Sequence, residues 1–281
     1  MSVTLTNNLK IKQVNSFEIS ANKLTLLSED PERDSNSHIH PTCEIYLNVS
    51  GNVSFMVEKN IYPIRSGDII ITRPYEYHHC IYHDDSPHEH YCIFFSAEQN
   101  PELFGAFFNR SRGSDNLIRF SESESKRFIS LCDKISTADE GQALQVMTAF
   151  FDILSSIEGG AKESHIQNIN SSLPENINNI LGYINKNYAS IKNVNELSEY
   201  FHISISTLER QFNAYLSTSP KKYLTDKKLS GACRMLRQNK SVTEACFENG
   251  FNDLSHFIDN FKKKFGTTPL KYKKDMPNYK Q

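Results

Sequence analysis

The chain has 281 residues, of which 38% are hydrophobic and 23% charged, a balance that fits a globular protein of two domains and excludes a disordered or fibrous one. No run of about 18 apolar residues occurs, and the start MSVTLTNNLKIKQ lacks the apolar core of a signal peptide, which argues against membrane and secreted classes. The formal net charge of −2 hides an asymmetry: residues 175–281 hold 17 Lys/Arg against 10 Asp/Glu, or +7, which leaves −9 for residues 1–174. A basic half points to an anionic partner. The six cysteines are scattered and form no C-x-x-C pair. A disulfide framework or zinc finger is therefore not expected, and a reducing cytoplasm fits.

Short strands come first. Glu44–Val49, Val53–Val57, Asp68–Thr72, His79–Tyr82 and His90–Phe95 are rich in β-branched and aromatic residues, with turn signals at Ser50-Gly51-Asn52, Lys59-Asn60, Ser66-Gly67 and Asp84–Pro87. That regular spacing predicts a small antiparallel barrel or sandwich. The period then lengthens. Phe128, Leu131, Cys132 and Ile135 recur as on one face of a helix, and a second helix is expected from about Gln142 to Ile157, with Leu144, Met147, Phe151 and Leu154 on its stripe. These two helices lie outside both the strand region and the basic half, so a homodimer contact is expected on them. The polar stretch that follows reads as a linker, which divides the chain into 1–163, a linker 164–174, and 175–281.

The basic half reads as helical throughout and contains an internal repeat. Asn193-Val-Asn-Glu196 corresponds to Ser241-Val-Thr-Glu244, each a capping side chain followed three residues later by Glu. One residue further out of register, Leu208 pairs with Phe257, Phe212 with Phe261, Thr218 with Thr267, Pro220 with Pro269 and Tyr223 with Tyr272. Each copy predicts a capped helix, a tight turn (His202-Ile203-Ser204 or Gly250-Phe251-Asn252) and a second helix, with Ser204 and Asn252 as N-caps. That is helix-turn-helix anatomy, whose second helix can enter a major groove. Leu229, Ala232, Cys233 and Leu236 form an apolar stripe on a connecting helix.

The segment Gly250-Phe251-x3-Ser255-x-Phe257-x3-Phe261-Lys262-x3-Gly266-x2-Pro269-x2-Tyr272 is very similar to the signature of the AraC/XylS family of bacterial transcription regulators. The resemblance covers roughly residues 180–275 and implies two helix-turn-helix subdomains joined by a long helix, docked in successive major grooves of double-stranded DNA. It implies a first recognition helix over about 205–215, presenting Ser204, Ser206, Thr207, Glu209, Arg210 and Asn213. The second, over about 253–264, presents Leu254, Ser255, His256, Asp259 and Lys263. Arg210 is the strongest base-reading candidate, because its fork can address guanine bidentately. Asp259 stands where the family often carries Arg or a polar donor, and an acid there suits only a cytosine amino group.

In the acidic half, His38-x-His40-x3-Glu44-x6-Gly51 closely resembles the first cupin motif. Gly67-x6-Pro74-x-Glu76-x2-His79 resembles the second loosely, with one extra residue and Glu76 in place of its usual glycine. The resemblance implies a cupin-like effector domain with His38, His40, Glu44, Tyr46, Tyr77 and His79 around its pocket. His38, His40, Glu44 and His79 are also weak candidates for a divalent metal, although neither metal nor cofactor is expected. His88-Glu89-His90 is read as solvated. Tyr46, Tyr75, Tyr77 and Tyr82 can stack on a sugar or a similar small molecule. The expected fold class is α+β: an antiparallel cupin-like β-barrel with flanking helices, then an all-α helix-turn-helix pair. The expected function is a ligand-responsive, cytoplasmic transcription regulator with DNA, effector, RNA polymerase and a second copy as partners. The alternative is a metal-dependent cupin enzyme with an accessory helical domain, but an enzyme has no need of paired helix-turn-helix copies.

Overall fold

The computed structural model describes residues 19–30, 39–97, 101–164, 171–216 and 218–275. The chain forms two compact units that part between Ser172 and Leu173. Among the described residues no helix is long and apolar enough to cross a membrane.

The N-terminal unit is built from β1 (Ile19–Leu26), β2 (Cys43–Ser50), β3 (Val53–Val57), β4 (Asn60–Ile64), β5 (Ile69–Thr72), β6 (His78–Tyr82), β7 (His88–Phe95), β8 (Leu117–Ile118) and β9 (Ser171–Ser172). The strands form two antiparallel sheets, ordered β1-β7-β2-β5-β8 and β6-β3-β4-β9. They do not close on each other, so the expected barrel is corrected to a pair of facing sheets. β1, β4, β8 and β9 were not expected from sequence. β4 follows the Lys59-Asn60 turn signal and carries Pro63, which reads as a breaker. The proline is tolerated because β9 pairs with β4 only at Asn60 and Ile61, so no ladder bond is asked of Pro63 on that side. β9 lies inside the stretch read as linker.

Three helices cover one face of the five-stranded sheet: α1 (Gly105–Phe108), α2 (Glu122–Ser136) and α3 (Ala143–Ser164). Ser121 and Glu124 form a reciprocal capping box at the start of α2, and the predicted stripe Phe128, Leu131, Cys132 and Ile135 is buried. The stripe predicted for α3 is half in phase: Leu154 is buried and Met147 packs against the core. Val146, Phe150, Ile153 and Ile157 face the core, while Leu144 is 81% and Phe151 40% exposed. Both sets have helical spacing, and the sheet selects the one that meets Phe95, whose ring lies 5.1 Å from Phe150 and 5.0 Å from Phe104.

A buried ion pair ties the loop after α1 to the sheets. Arg110 donates to both oxygens of Glu76, at 2.9 and 2.6 Å, and the amides of Gly113 and Arg73 add bonds of 2.9 and 3.0 Å. The residue that broke the second cupin pattern is therefore the anchor of this loop. Burial pushes the Glu76 carboxyl up, but Arg110 and the amides outweigh it and leave the carboxyl below its ordinary value of 4.5. Such a group adds stability above the unfolded carboxylate range, and that contribution is lost as pH falls through the folded value. Arg110→Met should therefore cost about 3–5 kcal/mol in denaturant unfolding near neutral pH, because it strands a buried carboxylate. The deficit should shrink in acid as Glu76 takes up a proton. A neutral-pH loss well under about 1 kcal/mol, the range of an exposed pair, would show that the pair anchors nothing.

The C-terminal unit is helical: α4 (Glu175–Asn187), α5 (Val194–Tyr200), α6 (Ile205–Leu216), α7 (Pro220–Arg237), α8 (Val242–Phe247), α9 (Leu254–Phe265) and α10 (Pro269–Asp275). The sequence repeat reappears as a packing repeat. Phe212 meets Tyr223 edge-on at 5.7 Å and 73°, and their counterparts Phe261 and Tyr272 meet at 5.3 Å and 71°. Each copy uses that aromatic pair to close its second helix onto the helix that follows.

Candidate nucleic-acid interface and polar sheet interior

α5–α6 and α8–α9 each form a helix-turn-helix. The first turn passes through His202 at φ 51°, the second through Gly250 at φ 77°. Glycine enters that region freely and His at moderate cost. Asn193 accepts bonds from the amides of Asn195 and Glu196, and Ser241 and Glu244 form a reciprocal box. At α6, Ser204 caps the amide of Thr207 as predicted, at 3.1 Å. At α9 the cap is Asp253, which accepts from the amide of His256 at 2.6 Å, and not the expected Asn252.

The predicted interface residues lie on two exposed polar faces. Ser204, Ser206, Glu209, Arg210 and Asn213 are exposed at α6, with Thr207 half-buried and bonded to the Ser204 hydroxyl at 2.9 Å. On α9, Ser255, His256, Asp259 and Lys263 are exposed and Leu254 is half-buried. The opposite faces hold Leu208, Phe212, Phe257 and Phe261 in the core. Of the Lys262–Lys264 run, Lys264 is spoken for: its ammonium lies 2.8 Å from the buried Asp226 on α7. Burial pushes the Asp226 carboxyl above its ordinary value, and Lys264 pulls against that shift.

Sequence reading missed the joint between the two copies. Lys228 on α7 is 6% exposed, and its ammonium donates to the carbonyls of Ile191 at 2.7 Å and Gly250 at 2.8 Å. One side chain thus holds the entry to α5 and the turn before α9. Burial lowers the Lys228 pKa, while Glu196 favours its charged form. Gly250 is doubly constrained, because a Cβ there would meet the carbonyl oxygen of Ala189 at 2.0 Å. At Gly231, α7 passes so close to Asn249 and Tyr188 that a Cβ would come within 1.9 Å of the Asn249 side chain. A lone lysine in an apolar stripe was the available signal, although nothing nearby in sequence names its partners.

In the N-terminal unit, alternation along β2 sends Glu44, Tyr46 and Asn48 toward the second sheet, as predicted for the first two. Tyr46 packs on Phe55 across the gap, with ring centroids 4.5 Å apart. The histidine that meets Glu44 is His78, with Nε2 at 2.9 Å from Oε2, and not the expected His79. β6 alternates too, so His79 turns to the other face, beside the fully buried Tyr77. Burial depresses His79 to about 3, and neither of its ring nitrogens has a hydrogen-bond partner among the described residues. For His78 burial works downward, but Glu44 and the Glu76 carbonyl outweigh it and raise the imidazole above its ordinary value.

His88 and His90 are corrected from solvated to buried. His88 takes the Tyr46 hydroxyl at 2.6 Å and faces the Ser50 carbonyl at 2.8 Å, so its Nδ1 carries the proton donated to Ser50. His90 stacks on Tyr46 at 4.9 Å and on His88 at 4.7 Å. Burial first, and then His88, depress it to about 3. Asn48 and Thr72 are buried on the same inner face, with side-chain polar atoms that have no partner among the described residues. His38 lies outside the described residues, whereas His40 joins Glu44 as expected: a ring nitrogen of His40, a carboxylate oxygen of Glu44 and a ring nitrogen of His78 lie within 4.8 Å of one another.

Two family models match the chain: an AraC-like ligand binding domain over residues 24–154 and a helix-turn-helix domain over 197–275. The chain is 32% identical over 107 residues to the HTH-type transcriptional activator RhaS of Escherichia coli, a match covering 35% of this chain and 38% of that protein. To RhaS of Mannheimia succiniciproducens it is 29% identical over 143 residues, 50% of this chain and 52% of that protein. These matches span between a third and about half of the relatives' lengths. Unsaturated fatty acid-bound ToxT from Vibrio cholerae is a similar solved structure at 12% identity and TM-score 0.39, covering 93% of this chain and 96% of that one.

Proposed function

This chain belongs to the AraC family, and on that premise we propose that it is a ligand-responsive transcription regulator of the cytoplasm that reads double-stranded DNA with both helix-turn-helix copies. The observation that carries the reading is the duplicated scaffold. Two exposed polar helices, α6 and α9, stand on repeated aromatic cores and are fixed to one connecting helix. A protein that reads one groove needs only one such helix.

The effector reading rests on the inner face of the sheets. The Asn48 amide, the Thr72 hydroxyl and Nδ1 of His90, buried there without partners among the described residues, are costly unless a ligand satisfies them. No Arg or Lys stands on the described strands beside them, so an uncharged, hydrogen-bonding molecule fits best, with Tyr46 and Phe55 as the apolar wall. His78 already balances Glu44, so the reading needs no metal. Effector binding then alters promoter occupancy or contact with RNA polymerase. A homodimer contact is assigned to the exposed Leu144 and Phe151 of α3. Leu154, on the same predicted stripe, belongs to the core at 5% exposure.

Arg210→Ala should cost about 1–3 kcal/mol of DNA affinity and relax preference at one base pair. Binding-site selection with both proteins reads this directly, and an equal loss on every sequence would move Arg210 to a phosphate. For the effector, a thermal-shift screen on the full chain compares wild type with Glu44→Gln. A compound that stabilises only the wild type supports the site. Equal stabilisation of both proteins, or a stoichiometric transition metal lost in the variant, would replace the reading. The dimer is tested by Leu144→Asp with Phe151→Asp, which should shift sedimentation to that of a monomer. Unchanged sedimentation puts the contact elsewhere.

A further inference from the structure

Between the two helix-turn-helix copies lies a cleft of about 410 Å3 that no expected DNA-reading residue other than His256 lines. Its walls are the start of α5, the first turns of α7 and the start of α9; Val194, Leu224 and Phe251 supply its apolar part. Three lysines (Lys192, Lys221 and Lys228) line it against one acid, Asp253. The Asp253 carboxylate is turned to the amide of His256, which it caps. Lys228 spends its donors on two carbonyls and leaves its charge at the floor. Lys192 and Lys221 are exposed at the rim.

Lys221 stands in the first turn of α7, an 18-residue helix, where the positive end of the helix dipole disfavours a cation. An anion seated on that lysine removes the conflict. In helix-turn-helix docking the first helix crosses the phosphate backbone while the second enters the groove. α5 is such a first helix, and its start supplies Lys192. α9 is the second recognition helix, and its first turn supplies His256. Backbone running from the groove under α9 to the stretch crossed by α5 therefore passes over the cleft.

We propose that this cleft seats backbone phosphates of the duplex between the two half-sites, with Lys192 and Lys221 as the contacting side chains. The proposal rests on the DNA reading given above. It assigns these lysines to sequence-independent affinity, as phosphate contacts position a protein without specifying bases.

The test uses the full chain, with Lys192→Gln/Lys221→Gln as the variant and Lys126→Gln, on the N-terminal unit, as control. Both are titrated over a salt series against one duplex selected by the wild type from a random pool and one of scrambled sequence. The variant should bind both duplexes more weakly by a similar factor, and its slope of log affinity against log salt should be shallower by roughly 1.8, about 0.9 for each phosphate lost. The control should follow the wild type, and melting curves should coincide. An unchanged slope, or a loss confined to one sequence, overturns the proposal. If inorganic phosphate raises the wild-type melting temperature but not the variant's, and the slope is unchanged, the cleft holds a free anion and the DNA assignment fails. A wild-type chain that binds neither duplex instead overturns the regulator reading itself.

Discussion

The ammonium of Lys228, buried under α7 and held by two backbone carbonyls, is the constraint on which the C-terminal unit depends. A buried cation is costly unless its donors are met, and here the acceptors are Ile191, just before the first helix-turn-helix, and Gly250, in the turn of the second. Satisfying the lysine therefore requires both copies to be in place at once. The glycines enforce the same arrangement from the other side, since Gly231 and Gly250 sit where a Cβ would strike Asn249 or the Ala189 carbonyl. Asp226 with Lys264 adds a third tie, between α7 and α9. Two recognition helices held this way keep a set spacing, which is what reading two groove segments with one chain demands.

The N-terminal unit solves a different problem with the same alternation of side chains. One face of the five-stranded sheet, carrying Ile45, Leu47, Ile93 and Phe95, packs under the helices in one apolar cluster. The other carries Glu44, Tyr46, Asn48, His90 and Cys92 toward the second sheet, and there apolar and polar groups are mixed. A core optimised for stability alone would not keep an amide and a hydroxyl without partners at that depth. The ion pair of Glu76 and Arg110 stabilises the loop beside this region, and on the inner face Glu44 meets His78 and Tyr46 meets His88, while Asn48 and Thr72 keep polar atoms without partners among the described residues.

Neither unit draws on the cysteines for chemistry. None of the six forms a disulfide among the described residues, and burial pushes the Cys92 and Cys132 thiols up, which keeps them protonated and poorly reactive. They act as small apolar residues, as the scattered spacing and absence of paired motifs suggest. Charge is likewise divided by use in the basic half: Lys264 stabilises the fold, Lys228 sets the joint, and Lys192, Lys221 and Lys263 are left at the surface.

The sequence by itself determined the division into a strand-rich acidic half and a helical basic half, because hydrophobic period and charge are local properties of the chain. It also determined the duplication. Leu208, Phe212 and Tyr223 recur as Phe257, Phe261 and Tyr272 with their spacing kept, and equal spacing on equal helices reproduces the same aromatic contact. Polar faces at Arg210 and Lys263 followed from the same periodicity. Only the tertiary structure decided which of two equally periodic stripes α3 would bury, and which of the adjacent His78 and His79 would meet Glu44. A stripe is chosen by what faces it, and a one-residue step along a strand reverses a side chain. The same holds for His88 and His90, polar in sequence and buried by the opposite sheet. Lys228 is the extreme case: its partners lie 37 and 22 residues away, and long-range pairing of that kind leaves no periodic trace to read.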